Sequence, residues 1–203
     1  MSTDSPRTLR KQLREQRRSL STAHRLSNES RISELLYRFP IIRRSRYIAG
    51  YLSEDGEVDL GLLQQELTKD GKKICLPVLR HGKHNRLWFS QHIPGDALYP
   101  NRFNILEPDT HRRPPIPLRH IDVILMPLVG FDREMNRLGM GGGFYDRSLA
   151  LLRRNGQWKR PRLMGIAHEC QRVESLDHNP WDVPLDWVVT EKGIFSKKGR
   201  LLA

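Results

Sequence analysis

A single α/β domain with a largely parallel sheet and helices on both faces is the fold this sequence predicts. Two features carry the prediction: short apolar runs alternate with segments whose apolar residues recur at helical spacing, and no internal repeat or low-complexity stretch interrupts the alternation. The length of 203 residues suits one core, and one domain over residues 1–203 accounts for the whole pattern.

The elements follow in order. Ser5-Pro6 reads as an N-cap with proline at the first helical position, opening a helix to about Arg18. Leu9 and Leu13 share one side of it, while Arg10, Arg14 and Arg17 make a second stripe. A second helix starts near Thr22, with Ile32, Leu35, Leu36 and Phe39 at i, i+3, i+4, i+7, and Pro40 ends it. Tyr47–Leu52 reads as a buried strand. Asp59 caps a helix carrying Leu60, Leu63 and Leu67 that stops at Gly71. Lys73–Val78 and Arg86–Ser90 are strands, residues 91–118 are mostly irregular, and Ile121–Met126 is a central strand. Gly142–Arg153 is a helix bearing Tyr145, Leu149 and Leu152, and Arg162–Ala167 and Trp187–Thr190 complete the strand set.

Composition excludes some classes and leaves others open. The apolar content of 37% is that of a globular chain, and no run approaches the ~18 apolar residues of a membrane span. Residues 1–18 lack the apolar stretch of a secretory signal. Cys75 and Cys170 are too few and too far apart for a disulfide framework or a structural zinc site, so a cytoplasmic location is expected. A net charge of +12 favours polyanionic ligands: nucleic acid, a membrane surface or small phosphorylated molecules. A nucleic-acid-binding protein is one reading of the basic helix, but aromatic residues are only 7% and do not interleave with it. The absence of extended heptads suggests a monomer.

The chemistry concentrates between residues 122 and 146. A buried strand leads into Met126-Pro127-Leu128-Val129-Gly130-Phe131-Asp132, then Arg137-Leu138-Gly139-Met140-Gly141-Gly142-Gly143-Phe144-Tyr145-Asp146. Glycines at four of the five positions 139–143 are costly to order and persist where a backbone must approach a ligand closely. Running into a helix, such a loop presents unpaired N–H groups to an anion. Arg137 can neutralise phosphate and Asp146 can hold magnesium. No Lys-Ser or Lys-Thr follows, so this is not a Walker A loop, and Phe144 stands where G-x-G-x-x-G needs glycine.

The pattern R-L-G-x-G-x-G-[YF]-Y-D after a strand and an F-D loop resembles the 5-formyltetrahydrofolate cyclo-ligase family. Arg10-Lys11-Gln12-Leu13-Arg14 is similar to the family's K-x-x-L-R helix, with Arg10 where lysine is usual and Lys11 beside it. The stretch from Tyr51 to Asp59 resembles its folate-binding strand and turn. Gly71–Pro77, Ile105-Leu106-Glu107-Pro108 and Trp181–Asp186 match further segments, in order through nearly the whole chain.

The resemblance implies an enzyme that uses ATP and Mg2+ to cyclise 5-formyltetrahydrofolate to 5,10-methenyltetrahydrofolate. It implies ATP contacts from Arg10, Lys11, Gln12, Leu13, Arg14 and Arg137, and from Leu138, Gly139, Met140, Gly141, Gly142, Gly143, Phe144 and Tyr145. Folate would meet Leu52, Glu57 and residues Met140 to Phe144; Arg137 and Tyr145 would serve the chemistry; Asp146 and Asp182 would hold the metal, with Asp186 the competitor. Glu57 can accept from the adjacent N–H and amino groups of a reduced pterin. His168 and Cys170 receive no catalytic role. A sugar-phosphate or acyl-group enzyme on a similar scaffold is the remaining alternative, because fold alone does not fix function.

Overall fold

The structure is a computed structural model that describes residues 5–80, 86–154, 160–197 and 200–201. Helix α1 (Pro6–Arg18) opens on Ser5, whose hydroxyl accepts from the Thr8 N–H, with Pro6 at the first helical position. Helix α2 (Thr22–Arg38) is capped the same way by Ser21. Pro40 ends α2 but also begins a short helix, α3 (Pro40–Arg44), which the sequence reading had not separated. The reason is that proline at N1 forfeits only an N–H that has no helical partner anyway.

Strand β1 (Tyr47–Ala49) is followed by α4 (Gly61–Lys69), β2 (Lys73–Leu79) and β3 (Leu87–Gln91). Residues 91–118 are less irregular than expected, for β4 (Leu98–Pro100) and β5 (Leu106–Pro108) form an antiparallel hairpin. Its strands are three residues long and rest on the surface, too short for an alternation to stand out. Then come β6 (Val123–Pro127), the β7–β8 hairpin (Gly130–Phe131 and Arg137–Leu138) and α5 (Phe144–Arg154). The α5 helix starts two residues later than the sequence suggests, because Gly143 has φ +62°, outside the right-handed helical region. Strands β9 (Arg162–Ile166), β10 (Trp187–Thr190), β11 (Gly193–Ser196) and β12 (Arg200–Leu201) close the chain, the last two being unanticipated antiparallel additions.

Among the described residues the main sheet runs β12-β11-β10-β9-β6-β1-β2-β3. Its central strands, β10, β9, β6, β1 and β2, are parallel, with the antiparallel strands at the two edges. Parity along each strand divides the core. Ile48, Ile74, Val123 and Met164 face the α2–α4 layer, where Ile32, Leu36, Leu63 and Leu67 are buried. Their neighbours Ala49, Cys75, Ile124 and Leu163 face the other way, against Phe89 and Leu149 of α5. Burying a leucine or isoleucine such as Leu36 or Ile32 contributes roughly 1.5–3 kcal/mol.

The sheet order has a functional consequence. The chain leaves β1 to one side, towards β2 and β3, and later returns through β6 and then β9 on the other side. The connections after β1 and β6 therefore diverge, opening a crevice beyond the carboxyl ends of these two strands. Helix α1 lies across that end of the sheet: Leu13 packs with Val129, Leu138 and Leu176.

Candidate active site

The crevice at the β1/β6 switch point is a cleft of about 1750 Å³. A pocket for one small ligand is typically about 300–1,000 Å³, so this volume suits two substrates side by side. One wall is the turn after β1, with Tyr51, Leu52, Asp55 and Glu57. The floor is Pro127 and Leu128 after β6, and the opposite wall is Arg137 through Arg147.

The glycine loop is shaped as an anion cradle. Gly141 and Gly143 have φ of +97° and +62°, conformations that a side chain would strain. The main-chain N–H groups of Gly141, Gly142 and Gly143 donate to nothing among the described residues. They stand just before the first turn of α5, whose own leading N–H groups lack helical partners and carry the positive end of the dipole. Arg10 reaches over from α1: its Nε donates to Gly139 O at 2.8 Å, and its guanidinium carbon lies near Gly141. Lys11 instead points to solvent, 4.0 Å from Glu15. Of the basic pair at this position, Arg10 is the one at the cleft.

Arg137 is nearly buried at the base of the loop. It donates to Val183 O and pairs with Asp146, and Val183 N donates back to Asp146 Oδ1 at 3.4 Å. The 182–183 segment is thereby tied to the start of α5, and both Asp146 and Asp182 line the cleft. One oxygen of Asp182 accepts from Asn179 N at 2.7 Å. Asp146 Oδ2 and Asp182 Oδ1 accept no hydrogen bond among the described residues. Asp186 sits elsewhere, accepting from Arg162 and from Leu163 N at the start of β9, the far end of the sheet. Asp182 therefore lines the cleft and Asp186 does not.

Facing the loop is the turn Glu54-Asp55-Gly56-Glu57. Asp55 and Gly56 both have positive φ, and Glu57 N donates to Glu54 O at 2.9 Å. Burial pushes the Glu57 carboxyl up to about 7, although the Arg17 charge and the Glu54 N–H pull it down. Burial opposes ionisation of Asp55 too, but hydrogen bonds from Arg14, Arg18 and Arg17 overcome it and bring its carboxyl down to about 2. Tyr145, in the first turn of α5, is pushed up by burial and then by the negative charge of Glu57, so its hydroxyl stays protonated.

Several residues singled out from the sequence lie away from the cleft. Gln12 is exposed, Leu13 is buried in the core, and Arg14 pairs with Asp55 at 2.7 Å; none of the three, nor Lys11, lines the crevice. Only the first turns of α1 border the cleft, at Pro6, Leu9 and Arg10; Leu13 and Arg14 lie a turn further along the same side, over the core and against Asp55. Conversely, the sequence reading passed over Phe103, which meets Phe144 edge-on at 5.7 Å and brings the β4–β5 hairpin to the cleft. Trp181, which the sequence places in a matching segment but gives no role at the site, is 64% exposed and faces the same cavity. Large apolar side chains left in water beside a cavity are the available signal, and it appears only after folding.

The family profile of the 5-formyltetrahydrofolate cyclo-ligases matches residues 2–191 of this sequence. The chain belongs to that family. It is therefore an enzyme of the cyclo-ligase class. The cyclo-ligase of Escherichia coli K12 is 37% identical over 183 residues, covering 90% of this chain and 98% of the relative. That of Haemophilus influenzae is 36% identical, covering 91% and 97%. The solved 5,10-methenyltetrahydrofolate synthetase of Aquifex aeolicus superposes with a TM-score of 0.78 at 32% identity, over 98% of this chain and 96% of that one.

Proposed function

We propose that this chain cyclises 5-formyltetrahydrofolate to 5,10-methenyltetrahydrofolate with ATP, at the cleft between the glycine loop and the Glu54–Glu57 turn. The observation that carries the reading is the pairing of two unlike walls across one cavity. One wall is a nest of unpartnered N–H groups backed by Arg10 and Arg137, suited to a triphosphate. The other is a recessed carboxylate, Glu57, suited to the neighbouring N–H and amino donors of a reduced pterin, with Leu52 beside it.

The reaction asks for positioning and neutralisation of charge more than for a strong base. The formyl oxygen on N5 attacks the γ-phosphorus and ADP departs. N10 then adds to the activated carbon, the N10 proton is released, and the carbon–oxygen bond breaks so that phosphate leaves carrying the former formyl oxygen. The main-chain N–H groups of Gly141–Gly143 hold the phosphate oxygens, and Arg10 closes over them. Arg137 places a positive charge at the base of the loop, fixed in direction by Val183 O and Asp146. Tyr145 keeps its proton and can donate to an oxygen in the cleft. The 53%-exposed Phe103 and the neighbouring Phe144 supply an apolar wall that excludes water from the reacting carbon.

The carboxylates fit a magnesium ion. Asp146 and Asp182 each leave one oxygen without a hydrogen bond among the described residues, and magnesium commonly takes one or two carboxylates with phosphates and water. The bound ion supplies positive charge against the phosphates. Nothing in the reading requires a cysteine nucleophile: burial pushes the Cys75 thiol up to about 12 and raises that of Cys170.

The test is direct. Purified protein with ATP, magnesium and 5-formyltetrahydrofolate should generate methenyl absorbance and release ADP and phosphate in equal amounts. ATP breakdown that ignores the folate, or no methenyl product, would overturn the reading.

A further inference from the structure

Arg17 is the largest side chain among the fully buried residues, and nothing in the proposed chemistry uses it. It is 0% exposed, near the C-terminal end of α1. An unpaired buried cation is costly, so its partners are informative. Its Nε donates to Asp55 O at 2.9 Å, its Nη2 to Asp55 Oδ2 at 2.9 Å, and its Nη1 to Leu128 O at 3.2 Å. The same Nη2 is 3.7 Å from Glu57 Oε1. One guanidinium therefore bonds the helix that carries Arg10, the turn that carries Glu57, and the end of β6 on the cleft floor.

We propose that Arg17 is a positioning residue for folate recognition: its planar fork fixes the Asp55–Glu57 turn against α1 and the end of β6, and so aims the Glu57 carboxyl into the cleft. The inference deepens the proposed function and rests on it. Three features of the turn support it. Asp55 and Gly56 occupy left-handed backbone conformations, at φ 57° and 78°, which local sequence tolerates but does not lock. Gly56 lies against α1, where an added Cβ would sit 3.6 Å from the Arg18 backbone and 3.7 Å from the Arg17 side chain, so turn and helix touch there. Leu128 O is fixed independently by Gln171 Nε2 at 2.7 Å, giving Arg17 a rigid third anchor.

A shorter cation could not make this set. Lysine carries charge but has no planar fork to satisfy a carboxylate, a turn carbonyl and a strand-end carbonyl together. Arg14 and Arg18 also bind Asp55, but from more exposed positions, and among the described residues only Arg17 forms an ion pair with Glu57. The charged and titratable groups that interact with Glu57 are Arg17 and Arg14 from α1, Asp55 and Glu54 in its own turn, Tyr51 before it, and Tyr145 from α5. Buried His168, whose Nδ1 lies 3.2 Å from Asn28 Nδ2, stands behind Arg17 at the end of β9.

The experiment compares wild type with Arg17→Gln and Arg17→Lys in steady-state assays of methenyl formation over a pH series. Wild-type turnover tests the proposed function; the variants test Arg17. In Arg17→Gln the KM for folate should rise about tenfold or more, the scale of one lost charge-assisted hydrogen bond, with the KM for ATP within about twofold. The acidic limb of kcat/KM for folate should move to higher pH, because Glu57 loses its counter-charge. Arg17→Lys should return the limb most of the way while recovering less of the KM. Equal loss in both KM values with an unmoved limb would mean that Arg17 serves the fold alone, and unchanged folate kinetics would likewise overturn the proposal. Should Arg17→Gln fail to fold, the decision passes to Arg17→Lys in a Glu57→Gln background. There its effect on the folate KM should largely vanish, and its persistence at full size refutes the proposal.

Discussion

Protonating Glu57 is the perturbation with the most direct consequence for substrate recognition. Its carboxyl titrates at about 7 because burial disfavours the charge more than Arg17, 3.7 Å away, restores it. Under the proposed assignment, a pterin that offers an N–H and an amino group side by side binds the ionised form, so binding competes with a proton. The apparent dissociation constant then scales as one plus the ratio of proton concentration to the acid constant. It is almost unaffected at about pH 8, about twofold weaker at pH 7 and about tenfold weaker at pH 6, close to 1.4 kcal/mol over the range. The sign follows from the raised value: the free protein holds the proton below about pH 7, and folate must displace it. The assay is folate binding without nucleotide, because a terminal phosphate titrates in the same range as the carboxyl, at about 6. Calorimetry in two buffers of different ionisation enthalpy should also detect protons released on binding near pH 6. Glu57→Gln should bind more weakly at every pH and lose the slope. A flat profile in the wild type, or an intact slope in the glutamine variant, would refute the assignment and its electrostatic basis together.

Asp55, brought down to about 2, stabilises the fold above its unfolded value near 3.8, and that contribution disappears as pH falls through the folded value. Acid denaturation should therefore steepen between about pH 4 and pH 2, and Asp55→Asn should cost roughly 2–3 kcal/mol in chemical denaturation at neutral pH; an unchanged midpoint would contradict it. Gly165→Ala places a Cβ 2.6 Å from both Leu128 Cδ2 and Leu185 Cδ1 in the packed sheet face, so stability should fall by about 1–3 kcal/mol, read as a lower Tm. Asp182→Asn should steepen the dependence of activity on magnesium with little change in Tm. Asp186→Asn, at the opposite end of the sheet, should lower Tm and leave the metal titration alone; the reverse pattern would exchange their roles.

The positions of the helices and central strands were legible because their signals are local. Ser5-Pro6 and Ser21 cap helices by contacts within three residues, and the apolar strands announce themselves by burial on both faces. The glycine loop was legible too, since its composition is hard to explain except by a close ligand. The N-terminal arginines were not so easily sorted. All lie on one helix, yet Arg10 reaches the loop, Arg14 pairs with Asp55 and Arg17 is buried; only the partners across the crevice distinguish them. Phe103 was missed and Trp181 given no role at the site for the same reason, because an aromatic residue in an irregular stretch has no periodic neighbour to reveal what it faces.

Residues a few positions apart specify the parts: the sheet's strands, a glycine loop opening a helix, an acidic turn and a basic helix. Which of these parts meet depends on the tertiary fold. The divergence of the chain after β1 and β6 opens the cleft and draws residues 10, 57, 137 and 182 into one neighbourhood. Burial then gives Glu57 and Arg17 charge states and partners that an isolated segment in water would not have. Periodicity is a property of neighbours along the chain, whereas desolvation and charge pairing belong to neighbours in space.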